Sequence, residues 1–94
     1  MEYGKGIQRL SETISTTKEA ASGIPIVELA GDRRVLIENH KGVIEYGNER
    51  ICVKVQYGCL CICGNKIELA KMTKDQLVIT GTIDSVIVRR KGET

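Results

Sequence analysis

The sequence predicts a small all-β domain, a mainly antiparallel sandwich or roll of seven to eight short strands, preceded by one amphipathic helix. The composition favours strands, because Phe and Trp are absent and the apolar residues are chiefly Ile, Val and Leu. Beyond residue 25, apolar and polar positions alternate between turns that contain Gly or Asn. No helical period separates these stretches, which excludes βαβ units.

The chain divides near Pro25 into a helical segment and a β domain. In residues 1–24, Ile7, Leu10 and Ile14 recur at helical spacing, which predicts an amphipathic helix over residues 5–21. Pro25 cannot continue a helix. The apolar face of this helix needs burial, which its own sheet, a partner or a membrane surface could provide. We expect one β domain over residues 25–90 and a C-terminal tail over residues 91–94.

The expected strands follow in order, and a turn signal bounds each of them. They cover residues 26–29, 35–39, 43–46, 51–57, 60–62 and 67–69, followed by residues 77–88, which Gly81 divides in two. The turns contain Gly31-Asp32, Asn39 to Gly42, Gly47-Asn48, Gly64-Asn65 and Thr73 to Asp75. At Gly58 the apolar positions change from odd to even numbers, which indicates a bulge or a tight corner.

Charge and hydropathy narrow the classes of function. The 14 basic and 12 acidic residues leave a net charge of +2, too small a surplus for a typical nucleic-acid-binding domain. No apolar run approaches the roughly 18 residues that a membrane-spanning helix needs. The first ten residues also lack the pattern of a secretory signal. We therefore expect a soluble cytoplasmic protein with reduced thiols, no nucleic-acid partner and no membrane span.

Three of the four cysteines, Cys59, Cys61 and Cys63, alternate along one expected strand and would line one of its faces. Neighbours in this row stand roughly 6.5–7 Å apart, at or beyond the reach of a disulfide. Together with His40 they would meet the ligand count of zinc, but a straight strand does not let the sulfurs converge. A thiol-based metal-binding or redox function is thus an alternative to simple packing on a half-buried face. Cys52 adds little to this pattern.

No catalytic arrangement is recognisable. His40 is the only histidine, and no Ser or Cys stands in a nucleophile context. The chain has no Gly-rich phosphate loop, no paired histidines on a helix and no nucleophile elbow. Residues 39–42 favour a turn, because Asn tolerates the left-handed conformation and Gly supplies a positive φ. We expect no enzymatic activity and no cofactor.

The stretch Leu36–Tyr46, LIENHKGVIEY, resembles the signature of the YabP/YqfC family of sporulation proteins, and its YqfC branch in particular. The resemblance covers about residues 25–88, and the string IENHKG is its most specific part. Residues 25–31 resemble the lead-in of that branch, and residues 77–83 resemble its closing strands. The spaced positions that also agree are Ile51, Gly58, Ile62, Gly64, Ile67 and Leu69. Cys61 and Cys63 depart from the family pattern, which usually has polar residues there.

The resemblance implies a role in endospore formation in the mother cell of a Gram-positive bacterium. It also implies a membrane-associated sporulation partner, and it supplies no catalytic residues. We expect an assembly or adaptor module whose partner-binding surface includes Glu38, Asn39, His40, Lys41 and Tyr46, together with the sheet edges. In the competing account the same residues only fix a turn. Homo-oligomerisation stays open.

Overall fold

The computed structural model describes residues 23–92, which form one antiparallel sheet of six strands. The strands are β1 (Ile26–Ala30), β2 (Arg34–Glu38), β3 (Val43–Tyr46), β4 (Arg50–Val55), β5 (Gly58–Met72) and β6 (Gln76–Arg90). Their order across the sheet is β1-β2-β6-β5-β4-β3. The expected all-β class is confirmed, while the helix expected over residues 5–21 lies outside the described residues. Within residues 23–92, no helix has the length and apolarity needed to cross a membrane.

The sheet has fewer and longer strands than the sequence predicts. The expected count of seven to eight is wrong, because β5 and β6 each run for 15 residues. Strand β5 continues through Gly64-Asn65, where a turn was expected, and β6 continues through Gly81. Shifts of register near Gly64 bend the two strands without ending them. One bent strand therefore has the sequence pattern of two short ones.

Gly64 and Gly81 stand where β5 and β6 approach each other too closely for a side chain. A Cβ atom on Gly64 would collide with the carbonyl oxygen of Thr82. A Cβ atom on Gly81 would lie 2.6 Å from the carbonyl oxygen of Lys66, and the φ of Gly81 is +133°. The bend in the longest pair of strands therefore depends on glycine at both positions.

Among residues 23–92, the inner face of the sheet encloses a core whose buried side chains are aliphatic. The core residues are Val35, Ile37, Ile51, Val53, Val55, Leu60, Ile62, Ile67, Leu77, Ile79 and Ile83. Side chains from β2 and β4 share this core, although β6 and β5 lie between these strands. In a flat sheet, strands three positions apart would be separated by about 14 Å. The shared core therefore requires the sheet to curl around it.

A short link explains the curl. Residues 39–42 connect β2 to β3, which lies four positions away at the far edge of the sheet. Strands so placed in a flat sheet would be about 19 Å apart. A link of this length reaches only about 18 Å, even when fully extended. The chain can therefore join the two strands only when the sheet brings them towards each other.

Replacing Gly64 with Ala should lower the free energy of unfolding by about 1–3 kcal/mol, because the added methyl group forces β5 away from Thr82. Urea denaturation measures this change. Gly47→Ala is the control, since a Cβ atom there would meet nothing closer than 3.5 Å. It should change the stability by less than about 0.5 kcal/mol. Equal losses in the two variants would contradict the close approach at Gly64.

Candidate functional site

Asn39 begins the link between β2 and β3 and fixes its direction. Its φ of 65° lies in the left-handed region, which Asn tolerates better than most residues. Its side-chain amide donates a hydrogen bond to the carbonyl oxygen of Ile24 at 2.9 Å. Its backbone N–H donates to the carbonyl oxygen of Asp75 at 2.7 Å. The residue therefore joins the link to the start of the domain and to the turn between β5 and β6.

His40 is buried, with 8% of its surface exposed, and both of its ring nitrogens have partners. Its Nδ1 accepts a hydrogen bond from the backbone N–H of Gly42 at 3.0 Å. Its Nε2 lies 2.8 Å from the carbonyl oxygen of Thr73. Because a carbonyl oxygen can only accept, Nε2 donates the hydrogen bond to Thr73. Nε2 thus ties the link to the β5–β6 turn, while Nδ1 closes the link upon itself.

The other residues expected at a partner-binding surface fall into two groups. Glu38 is half-buried on β2, where its Oε2 accepts a hydrogen bond from Gln76 at 3.4 Å. Lys41 and Tyr46 are exposed, and the exposed fraction of Tyr46 is 61%. Glu38 therefore belongs with Asn39 and His40 as a residue held inside the domain. Partner binding by any of the five stays a prediction.

All four cysteines lie on the sheet face opposite the core. The register between β4 and β5 makes Cys52 the direct partner of Cys61 and places Cys59 and Cys63 on either side. Cys52 and Cys61 are buried, whereas Cys59 and Cys63 are half-buried. All four are free thiols. Two strands thus bring together a thiol pair that the spacing within one strand does not reveal.

The pattern along one strand does not reveal the role of Cys52, because its partner belongs to another strand. Residues 56–57 form the turn between β4 and β5. A two-residue hairpin turn fixes the register, since each step away from the turn adds one residue on each strand. A turn at these two residues therefore places Cys52 opposite Cys61.

Arg50 lies across the thiol pair. Its Nε donates to the Sγ of Cys52 at 3.4 Å, and its Nη2 donates to the Sγ of Cys61 at 3.8 Å. The same Nε lies 3.6 Å from Oε1 of Glu45 on β3. Cys52 also donates its S–H to this carboxylate oxygen, at 3.6 Å. One cation, one anion and two thiols therefore form a connected polar cluster.

The two opposed thiols have pKa values that move in opposite directions. Burial, together with the hydrogen bond to Cys61, raises the pKa of Cys52 to about 11. Burial also opposes ionisation of Cys61, but hydrogen bonding with Cys52, Arg50 and Cys59 outweighs it and lowers the pKa of Cys61. Burial and the nearby Cys61 raise the pKa of Cys59. Within the pair, Cys61 therefore ionises first while Cys52 keeps its proton.

The geometry gives no support to a metal centre. Across residues 23–92, no group of three or more His, Cys, Asp and Glu side chains is arranged to hold a metal ion. The suggested ligands were Cys59, Cys61, Cys63 and His40. The thiols of this set stand along one strand, and both nitrogens of His40 have partners in the chain.

A shallow hollow opens beside the thiols, between the β3 edge and the end of β6. Its walls are formed by Ile44, Lys54, Gly58, Cys59, Arg89, Arg90 and Lys91. The four basic side chains give the hollow a positive rim, while Ile44, 60% exposed, offers an apolar contact. Cys59 connects this hollow to the row of thiols.

Comparison with known proteins identifies the family. The family model described as the YabP family matches residues 24–94. This chain belongs to the YabP family. Over 77 residues it is 21% identical to the uncharacterized protein YqfC of Bacillus subtilis (strain 168), covering 82% of this chain and 83% of that protein. No solved structure matches the chain. The resemblance to the YabP/YqfC family is therefore confirmed.

In this YabP-family protein, His40→Ala should lower the free energy of unfolding by about 2 kcal/mol. The variant loses the hydrogen bonds to Thr73 and Gly42, each worth about 1 kcal/mol. Urea denaturation measures the change. Lys41→Ala is the control, because that side chain is exposed and should contribute less than about 0.5 kcal/mol. A His40→Ala variant as stable as the wild type would show that the ring is not a structural tie.

The thiol pair should titrate in two well-separated steps. In a Cys59→Ser/Cys63→Ser background, we expect one thiolate to form below the ordinary cysteine pKa of 9.0 and the other near pH 11. Ultraviolet absorbance of the thiolate follows both steps. Arg50→Gln removes a cation that favours the Cys61 thiolate, so the first step should move to higher pH. A first step at the same pH in both proteins would exclude this influence of Arg50.

Proposed function

We propose that this YabP-family protein is a non-enzymatic sporulation protein that acts as an assembly or adaptor module in endospore formation. Family membership supports the sporulation setting. The observation that carries the adaptor role is the edge strand β3, which ends the sheet and exposes large apolar side chains. A location in the mother cell and a membrane-associated sporulation partner are part of this proposal and come from the family resemblance.

Strand β3 supplies a docking edge. Among the described residues, it has a neighbouring strand, β4, on one side only. Ile44 and Tyr46 are 60% and 61% exposed, although apolar or aromatic side chains of this size usually pack inside a domain. An edge strand can add a further strand through its backbone groups, and the side chains beside it set the specificity. An extended partner segment fits this arrangement.

The link of residues 39–42 sets the position of this edge. The backbone N–H of Lys41 donates to the carbonyl oxygen of Lys54 at 2.7 Å, and the N–H of Lys54 donates to that of Gly42 at 2.8 Å. These bonds fasten the start of β3 to β4. In the proposed complex, Asn39 and His40 hold the link in place, while Lys41 joins Tyr46 in contacting the partner.

The charges near β3 indicate the chemistry of the partner. Lys54, Arg89, Arg90 and Lys91 surround the hollow that Ile44 lines. A partner segment with apolar residues opposite Ile44 and Tyr46 and acidic residues beside them would match both features. Such complementarity mainly raises the association rate and suppresses wrong partners.

Co-purification from sporulating cells tests the proposal. The tagged chain carrying Ile44→Asp and Tyr46→Lys should retain at least about tenfold less of the membrane-associated sporulation protein, since losing such anchors commonly costs more than 1 kcal/mol. Leu29→Asp is the matched control, because Leu29 is 57% exposed on β1, the opposite edge strand. It should leave retention unchanged.

Urea denaturation of all three proteins separates binding from folding. The double variant and the control should be as stable as the wild type, since each replaces exposed side chains. Equal loss of the partner in both variants, or loss that follows lost stability, would reject β3 as the docking edge.

A further inference from the structure

The buried thiols carry an inference that goes beyond the proposed adaptor role. We propose that Cys52 and Cys61 form a redox-active dithiol, which closes to a cross-strand disulfide on exposure to a small-molecule disulfide. The proposal rests on the register of β4 and β5 and on the side chains around the two sulfurs. It stands independently of partner docking at β3.

The register selects this pair from the four thiols. Cys52 and Cys61 are directly opposed. Opposed residues of an antiparallel pair have Cα atoms about 4.5–5.5 Å apart, within the disulfide range of about 4.4–6.8 Å. The Cα atoms of neighbouring cysteines along β5 are about 6.5–7 Å apart, and those of diagonal neighbours on facing strands about 7–8 Å, at or beyond the end of this range. Cys59 and Cys63 face no thiol on either side, since their partners are Lys54, Arg50, Arg89 and Ser85.

Hydrogen bonds of Lys54 identify the kind of pair that the two cysteines form. Lys54 donates its N–H to Gly42 and accepts at its carbonyl from Lys41, so both groups point towards the β3 side. Residues two apart in a strand direct their backbone groups to the same edge. The backbone N–H and C=O of Cys52 therefore also point towards β3. Cys52 and Cys61 are therefore a non-hydrogen-bonded pair, the kind whose Cα atoms approach to about 4.5 Å and whose side chains lie closest.

Arg50 makes the pair both reactive and reachable. It contacts both sulfurs, and a nearby cation favours the thiolate, which is the nucleophile in disulfide exchange. Its side chain is 46% exposed, so the group that contacts both buried sulfurs itself borders solvent. The basic hollow next to Cys59 attracts an anionic oxidant such as oxidised glutathione.

The reaction is two successive thiol–disulfide exchanges. The Cys61 thiolate attacks one sulfur of oxidised glutathione, forms a mixed disulfide and releases one glutathione thiolate. Cys52 then loses its proton towards Glu45, which already accepts its S–H, and attacks the Sγ of Cys61. The second glutathione thiolate leaves. The two protein thiols together lose two electrons and two protons. One oxidised glutathione gains the two electrons, and its two thiolates take up the protons from water or Glu45 to give two molecules of reduced glutathione.

Thiol counting and peptide mapping test the site on the full chain. Fully reduced protein is incubated with oxidised glutathione, the remaining thiols are blocked, and peptides are mapped by mass spectrometry without reduction. Two of the four thiols should disappear, and the bridged peptides should join Cys52 to Cys61 in a monomer. The Cys59→Ser/Cys63→Ser variant should form the bridge to the same extent. Cys52→Ser should stop at a glutathione adduct on Cys61.

Several results would overturn the proposal. One is a disulfide between two cysteines of β5, and another is a disulfide-linked dimer. A third is a wild-type glutathione adduct that never proceeds to an internal disulfide. A fourth is a folded protein in which all four thiols stay unreacted while the urea-unfolded chain reacts fully. Thermal unfolding of Cys52→Ser provides the control for folding. If this variant is unfolded, Cys52→Ala, which adds no polar group to the buried site, replaces it and should give the same adduct.

Discussion

The short link of residues 39–42 holds the sheet in its curled form, and His40 ties this link to the far end of the β5–β6 hairpin. The ring joins the link between β2 and β3 to Thr73 at the β5–β6 turn, and Asn39 adds a second bond to the same turn. The link then fastens to β4 through Lys41 and Lys54. Strands from both halves of the sheet thus meet at the four residues of the link, 39–42. The enclosed core and the position of the β3 edge both depend on this junction.

The junction explains why the most distinctive string of the sequence makes several hydrogen bonds to distant residues. Asn39 and His40 use nearly all of their polar groups inside the domain, which leaves Lys41 to face solvent. Local sequence rules predict the turn, because Asn and Gly favour positive φ. They do not predict that the ring of His40 is buried, because Thr73 lies 33 residues further along the chain. The burial of His40 depends on how the whole sheet is arranged and not on the local sequence of the turn.

The sequence predicts the class and most of the turns but not the continuity of the sheet. The turns at residues 31–33, 39–42, 47–49 and 73–75 coincide with strong local signals. Gly64 and Gly81 also predict the end of a strand, yet in the structure they permit two long strands to bend close together. A glycine that breaks a strand and one that bends it have the same local pattern. Only the neighbouring strand distinguishes them.

The thiol face shows the same limit. Alternation along β5 places Cys59, Cys61 and Cys63 on one face, whereas the meeting of Cys52 with Cys61 depends on pairing between strands. Arg50 and Glu45, which surround the pair, come from two strands as well. The pattern within one strand therefore predicts the row of thiols but not the polar cluster around Cys52 and Cys61.

The strand order also has a consequence for how the chain folds. Strands β3 to β6 are joined by successive hairpins, so their pairing requires only short loops to close. Strand β2 pairs with β6, with register partners that run from Glu38 and Gln76 to Arg34 and Thr80 across the whole hairpin array. Closing such a long loop costs more chain entropy and slows folding. We expect the β3–β6 meander to assemble first, so that the arrival of β1 and β2 limits the rate at which the native sheet is completed.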